Sequence, residues 1–347
     1  FVEMVEAGFT RVGEFHYLHN DIDGRPYANP AEMASRVAAA ASTSSIALTL
    51  LPVFYAHGGF GGAPLQDRQK RFANSLESYA RLLDTSRAAV SGLADAIVGI
   101  APHSLRAATP EELRALVPLA GEAPIHIHIA EQMREVEECL AWSGARPVAW
   151  LLDHAPVNQR WCLVHATHMD AGETQHLAAS GAVAGLCPIT EANLGDGLFD
   201  GAAYMAAVGA IGIGTDSNVL IDMREELRLL EYGQRLRDRT RNVFASEGTP
   251  SVGRKLFDAA LKGGAQALGA AIGLTVGARA DIVALRSDQP AFAGRAGDAL
   301  LDSFIFANGR IADVWCAGEQ VVSEGRHRHR ESVETRYRST LERILSA

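Results

Sequence analysis

The amino-acid sequence predicts an α/β fold, a TIM-like barrel of β/α units followed by a small C-terminal β domain. Three observations carry that prediction. Continuous apolar strands alternate seven times with amphipathic helical runs, the pattern of a parallel sheet covered on both faces. Polar residues gather just after those strands, at His16, His57, His103, His128, His165 and Asp216, which suits a barrel with its chemistry at one rim better than a doubly wound sheet. From Gly273 onward, short strand-like runs separated by turn residues replace the alternation.

The chain opens on Phe1-Val2-Glu3-Met4-Val5-Glu6-Ala7-Gly8, which reads as the end of an amphipathic helix closed by Gly8. Seven units are one short of an eight-unit barrel, so the expectation is that the first β/α unit is the absent one and lay upstream of Phe1. Residues 10–17 read as a strand, 30–41 as a helix and 46–55 as a continuous apolar strand. The glycine-rich stretch 58–62 lacks the phosphate-binding Gly-x-x-x-x-Gly-Lys pattern and reads as a rim loop. A long helical region at 69–94 precedes a strand at 96–101. Thr109-Pro110-Glu111-Glu112 then starts a helix with an N-cap, a first-turn proline and a capping-box glutamate. Strands at 125–129, 161–165, 181–188 and 209–216 follow, Asp170 and Glu173 cap the helix after the second of them, and helical runs fill most of 223–268.

In the last part, runs at 281–285, 303–307, 311–316 and 319–322 read as strands. The expected division is a truncated barrel catalytic domain at 1–268, a small β-sandwich portion at 269–330 and a C-terminal helix at 331–347. Arg326-His327-Arg328-His329-Arg330 reads as a solvated turn ahead of that helix.

A chain of 347 residues with 48% hydrophobic and 21% charged residues can bury a large core. Its net charge is −9, and no basic stretch interleaves with aromatics, which argues against nucleic acid as a partner. No apolar run reaches membrane-spanning length. The cysteines, Cys139, Cys162, Cys187 and Cys316, lie far apart in apolar contexts and read as buried thiols, as expected in a reducing cytoplasm.

The chemistry centres on Ile125-His126-Ile127-His128-Ile129-Ala130-Glu131. Alternation puts His126 and His128 on one side of a strand, and Glu131 follows at the start of a helix. At a barrel rim these are positions for a metal ligand and a proton-transfer group. His165 and Asp216 end other strands and would converge with His128. Imidazole and carboxylate together suit zinc or another divalent cation, or else form a polar barrel mouth with no metal. His57, His154, His168 and His176 read as hydrogen-bonded structural histidines. Arg106, just past a strand end, can bind a carboxylate bidentately or make a surface ion pair.

Together, His128-Ile129-Ala130-Glu131, His165 and Thr215-Asp216-Ser217-Asn218 resemble the deaminase branch of the amidohydrolase superfamily. The stretch from Gly273 to Val283 is similar to that superfamily's signature where the barrel meets the β domain. Cys187-Pro188 with Glu191, Asn193, Leu194 and Gly197 is similar to the segment after its seventh strand. Residues 13–19, 101–106 and 190–197 resemble the members that act on formimidoylglutamate in histidine degradation, and the resemblance covers essentially the whole chain.

The resemblance implies a (β/α)8 barrel of the amidohydrolase type and zinc-dependent hydrolytic deamination of N-formimidoyl-L-glutamate, an acidic amidine, to N-formyl-L-glutamate and ammonia. It implies that His128 and Asp216 ligate one Zn2+ ion, other divalent metals being alternatives. Glu131 would shuttle protons, Asp216 would accept the proton of water, and His165 would stabilise the tetrahedral centre. Tyr17, His103 and Arg106 would hold the substrate, and the enzyme would be a homodimer. The family takes two further zinc ligands from a His-x-His at the end of its first strand, and no such strand stands before Phe1. The metal site expected here is therefore half a site, and the chain alone inactive or weakly active. Two other readings stand beside this one. The first is a deaminase of the same superfamily acting on a nucleobase, adenosyl or triazine substrate. The second is a truncated barrel without catalysis.

Overall fold

The computed structural model describes residues 1–346. Its parallel strands are β1 (Arg11–His16), β2 (Ala47–Phe54), β3 (Ile97–Val98), β4 (Ala101–Pro102), β5 (Ile125–Ile129), β6 (Trp161–His165), β7 (Val183–Leu186) and β8 (Ala210–Ile213). β2 pairs with β1 on one side and with both β3 and β4 on the other, so β3 and β4 are two halves of one strand position. Parallel bridges from Ile100 to Ile125 and from Ser104 to His128 tie that position to β5. Beyond it, β5, β6, β7 and β8 pair in chain order.

The apolar runs become strands buried from both sides. Every residue of β2 is buried, and Ile125, Ile127 and Ile129 of β5 are fully enclosed. The intervening helices start where the sequence says. Thr109 and Glu112 satisfy each other's backbone N–H groups at Pro110–Leu116, and Asp170 and Glu173 do the same at Ala171–Ser180. The helical region expected at 69–94 is split into a 3-10 turn, Asp67–Phe72, and a helix, Leu76–Val90, with Ser75 as a new N-cap. The strand expected to run through Pro188 stops at Leu186, because Pro188 opens the helix Pro188–Leu194.

The helix Val252–Ala267 lies directly against β8. A Cβ on Gly263 would overlap the carbonyl of Ile211, so strand and helix touch through backbone atoms. Its C-terminal end is tied to side chains of β5 and β2. The Ala267 carbonyl accepts a hydrogen bond from His126 Nε2 at 2.7 Å, and the Leu268 carbonyl accepts one from Thr49 Oγ1 at 2.8 Å. Among the described residues β1 and β8 are not paired with each other. A cavity of about 650 Å3 separates them, lined by Val12 and Glu14 on one side and Gly212 and Gly264 on the other.

The antiparallel sheet in the last part of the chain has the order β12-β11-β10-β9, formed by β9 (Ile282–Leu285), β10 (Ile311–Cys316), β11 (Glu319–Ser323) and β12 (Arg326–His327). The strand expected at 303–307 is instead part of a helix, Ala299–Phe306. Ser303, Phe304 and Ile305 are buried, and Asp302 Oδ1 accepts the Gly253 N–H at 2.7 Å, fastening this helix to Val252–Ala267. A short apolar run fits either structure, and packing decided it. The charged run 326–330 is also corrected. His327 is 2% exposed, and Glu6 accepts its backbone N–H at 2.8 Å and pairs with Arg330 at 2.9 Å, so the run ties the first helix, Val2–Glu6, to the start of the last, Arg330–Leu345.

Neighbouring glycines give a contrast that tests the backbone contact. Gly263→Ala is expected to destabilise the fold by about 2 kcal/mol or more, because the methyl group meets strand backbone that has no room to move. Nothing lies within 4 Å of a Cβ on Gly264, so Gly264→Ala should be neutral or stabilising by up to ~1 kcal/mol. Denaturant unfolding of the two variants measures the difference.

Candidate active site

The ends of β5, β6 and β8 carry the reactive side chains, and the backbone there is unusual. Ala130, His165, Ala166 and Asp216 have positive φ angles of 50°, 69°, 49° and 39°, a region that non-glycine residues enter at a cost. These sharp turns lift each side chain off its strand and over the sheet. His128, Glu131, His165, Asp216, Tyr17 and His103 all line the cavity that runs on between β1 and β8. The imidazole and the carboxylate named as metal ligands, His128 and Asp216, therefore share one space although they lie far apart in the chain.

The imidazoles form a row. His103 and His128 have ring centroids 5.0 Å apart, and His128 and His165 lie 5.5 Å apart with nearly parallel planes. Phe15 packs edge-on against His128 at 4.3 Å. His128 Nδ1 donates to the His103 carbonyl at 3.1 Å, which leaves Nε2 as the lone pair facing the cavity. Burial, then the neighbouring His103 and His165, holds His128 well below the usual histidine pKa. Burial and the nearby Arg106 push His103 down to about 3. Both rings are therefore neutral.

His165 differs. Burial acts against its charge, but Glu191, Glu131 and Asp216 outweigh that, and its pKa is raised. Its Nδ1 donates to Glu191 Oε1 at 3.1 Å, and its Nε2 stands 3.6 Å from Glu131 Oε1. Glu131 is itself raised, mainly by burial. An imidazole and a carboxyl group whose pKa values are both raised thus stand side by side.

Arg106 does not line the cavity. Its Nη2 lies 3.8 Å from Glu135 Oε2, and Glu135 is almost wholly buried, so this is not an ion pair between two surface groups. Of the histidines read as structural, His57 pairs with Glu112 at 2.9 Å and His168 Nε2 donates to the Asp196 carbonyl at 2.7 Å. His154 is a correction: it is exposed, stacked on Trp150 and bonded to that residue's carbonyl. His176 is exposed as well, on the polar face of Ala171–Ser180.

Two residues of the site were not singled out from the sequence. Glu191 stands within a motif that gives it no role of its own, yet its Oε1 also accepts the Cys187 N–H at 2.9 Å and so joins the ends of β6 and β7. Glu135 lies four positions before Cys139, beside Val136 on the buried face of the helix Met133–Ser143, and an acid on an apolar stripe was the available signal.

His128 and Asp216 have the chemistry of two ligands for a divalent cation. Among the described residues, no group of three or more His, Cys, Asp or Glu side chains is arranged to hold a metal ion. The fit is that of part of a ligand set.

Parallel strands in chain order, with imidazole and carboxylate groups at their ends, define a hydrolase-type site. Residues 1–321 match the family model described as the Amidohydrolase family, and the chain belongs to that family. Formimidoylglutamate deiminase of Pseudomonas aeruginosa is 53% identical over 332 residues, which are 94% of this chain and 73% of that protein. A crystal structure of an amidohydrolase from Brucella melitensis is 55% identical, superposes with a TM-score of 0.97 and covers 99% of this chain and 77% of its own. A zinc-bound adenosine deaminase from Xanthomonas campestris, at 23% identity and TM-score 0.79 over 100% of this chain and 74% of its own, shares the fold.

Two outcomes follow from the electrostatics. Glu191→Gln removes one of the carboxylates that together outweigh burial, so the His165 pKa should fall relative to wild type, as an NMR titration of the imidazole would report. Glu226 is buried, and burial first, then Glu191, Asp216 and Asp222, pushes it up to about 8; one of its oxygens accepts the Ile189 N–H at 2.8 Å and the other has no partner. The unfolded chain loses this proton near pH 4.5, whereas the folded chain keeps it to about 8. Stability of the metal-free protein should therefore fall as pH rises across that window, by a few kcal/mol at most, and Glu226→Gln should flatten the slope in denaturant titrations.

Proposed function

We propose that the protein hydrolyses N-formimidoyl-L-glutamate to N-formyl-L-glutamate and ammonia. The observation that carries this reading is the 53% identity to formimidoylglutamate deiminase over 94% of the chain. It is supported by the gathering at one cavity of the groups such a reaction needs.

His128 through Nε2 and Asp216 through its carboxylate would hold one divalent ion, Zn2+ on the chemistry of the donors. When bound, such an ion supplies a Lewis acid that brings the pKa of water toward about 7. The other steps belong to the side chains. Asp216 accepts the proton of the attacking water. His165, fixed by Glu191 and with its pKa raised, would present a protonated Nε2 to the negative charge that builds on oxygen. Glu131, with its raised pKa, protonates the imine nitrogen of the N–CH=NH group, which makes the carbon electrophilic. After water has added, the proton held by Asp216 passes to the resulting NH2 group, and the carbon–nitrogen bond breaks to release ammonia. The hydroxyl proton of the collapsing centre returns to Glu131. Neutral His103 and Tyr17, ring centroids 5.9 Å apart, would border the substrate, and Arg106, outside the cavity lining but close enough for its charge to act on His103 and Glu131, would take a glutamyl carboxylate.

The reading also takes residues 1–268 as a barrel-type catalytic domain, 269–330 as a small β domain and the remainder as a C-terminal helix. The parallel set ending at β8 and the antiparallel set beginning at β9 support that division. A cytoplasmic homodimer completes it. All four cysteines are buried and unpaired, and among the described residues no helix is long and apolar enough to cross a membrane.

Ammonia release by the zinc-loaded protein is the test, with formimidoylglutamate set against guanine and adenosine. Turnover is expected with formimidoylglutamate alone and should be abolished by a chelator. Turnover of the purines alone would reject the reading. A chain that takes up no zinc and turns over nothing would be a non-catalytic barrel. Glu131→Gln should lower kcat by about a hundredfold or more with little change in KM, since it removes a proton donor and not a binding contact.

A further inference from the structure

The helix Met133–Ser143 begins without the usual support. Its N-cap, Gln132, makes no side-chain hydrogen bond to the helix, and Ala130 just before it has φ of 50° without being glycine. Something else has to hold this turn, because an alanine does not stay in the left-handed region by preference. The side chain of Glu135 reaches back to it. Glu135 Oε2 accepts the Glu131 N–H at 3.2 Å, and the Ala130 amide lies against the same carboxylate. Successive N–H groups around a left-handed residue form a nest for an anion, and a buried carboxylate fills this one.

The same oxygen faces Arg106 Nη2 at 3.8 Å. Arg106 Nε is buried without a partner, as is the second oxygen of Glu135. The guanidinium is a third exposed, so one side of it is turned to Glu135 and the other remains open. We propose that Glu135 is a positioning residue that holds Glu131 and Arg106 as one unit, so that the proton donor and the carboxylate clamp keep a fixed separation matched to a substrate with an amidine at one end and a carboxylate at the other. The inference rests on the function proposed above and adds to it how that specificity is built.

The two arms of this unit can be separated. The arm to Glu131 acts through the strained turn, and glycine at position 130 removes the strain. The arm to Arg106 acts through charge, which glycine does not restore. Glu135→Gln keeps the shape and one acceptor but loses the charge. It should raise KM for formimidoylglutamate about tenfold and lower kcat about tenfold. In Ala130→Gly/Glu135→Gln, kcat should return to within about threefold of wild type while KM stays raised. The glycine also relieves the turn, so the double variant keeps the test available if the single one folds poorly. In an Arg106→Ala background, Glu135→Gln should leave KM unchanged, since the group it acts through is gone.

The dissociation constant of N-formyl-L-glutamate, read by calorimetry, should follow the same pattern without turnover. An unchanged KM in Glu135→Gln, a glycine that restores KM together with kcat, or equal KM effects with and without Arg106 would each overturn the proposal. A wild-type protein that neither turns over formimidoylglutamate nor binds formylglutamate would instead fail the functional reading, and the Arg106 arm would fall with it.

Discussion

The hydrogen bond from His165 Nδ1 to Glu191 sets the character of the whole rim. Both groups are buried, and a buried charge is tolerated only with a partner and further hydrogen bonds. Glu191 has both, since the same oxygen also takes the Cys187 N–H. That single carboxylate therefore joins the ends of β6 and β7 and fixes which nitrogen of His165 faces the cavity. Removing one member of such a pair leaves an uncompensated charge in the interior, a loss on the order of 3–5 kcal/mol. The interaction that helps raise the His165 pKa is thus the one that locks two strand ends in register.

The left-handed turns at the rim depend on similar compensation. Ala166 donates its N–H to Ile129, His168 to Ala130, and Asn218 to Thr215, at 3.0, 3.0 and 2.9 Å. Each bond crosses from one strand end to the next or closes a turn on itself. A residue such as His165 at φ 69° persists only because its neighbours fix it from several sides. The rim is consequently a set of interlocked turns, and each turn points one functional side chain inward.

Much of this was legible in the sequence. Apolar runs between amphipathic helices fixed the parallel set, since a strand buried on both faces has no polar alternation to show. Capping signals at Thr109 and Asp170 fixed two helix starts. Histidine and aspartate at strand ends marked the rim, because few other reasons put imidazole after an apolar strand. What stayed hidden depends on long-range packing. The run 303–307 became helix because Phe304 and Ile305 bury against elements distant in the sequence. His327 reads as a surface residue until Glu6, at the other end of the chain, is found against it. Glu135 reads as a helix-surface acid until its neighbours Val136 and Cys139 are seen to face the core.

The site separates its titratable groups into two kinds although they stand within one cavity. For His103 and His128 burial acts first and the nearby Arg106 acts in the same direction, so both rings are neutral. Neutral imidazole is the form that can ligate or accept. His165 and Glu131 face each other and further carboxylates, so charge decides for the one and burial for the other, and both pKa values are raised. Groups whose environments push their pKa values apart in this way mark the division between base and acid in an enzyme. Here the division follows the chain. His128 of β5 has its pKa lowered, and Glu131 three residues later has its pKa raised. The left-handed Ala130 between them is what allows two such neighbours in sequence to occupy opposite roles in space.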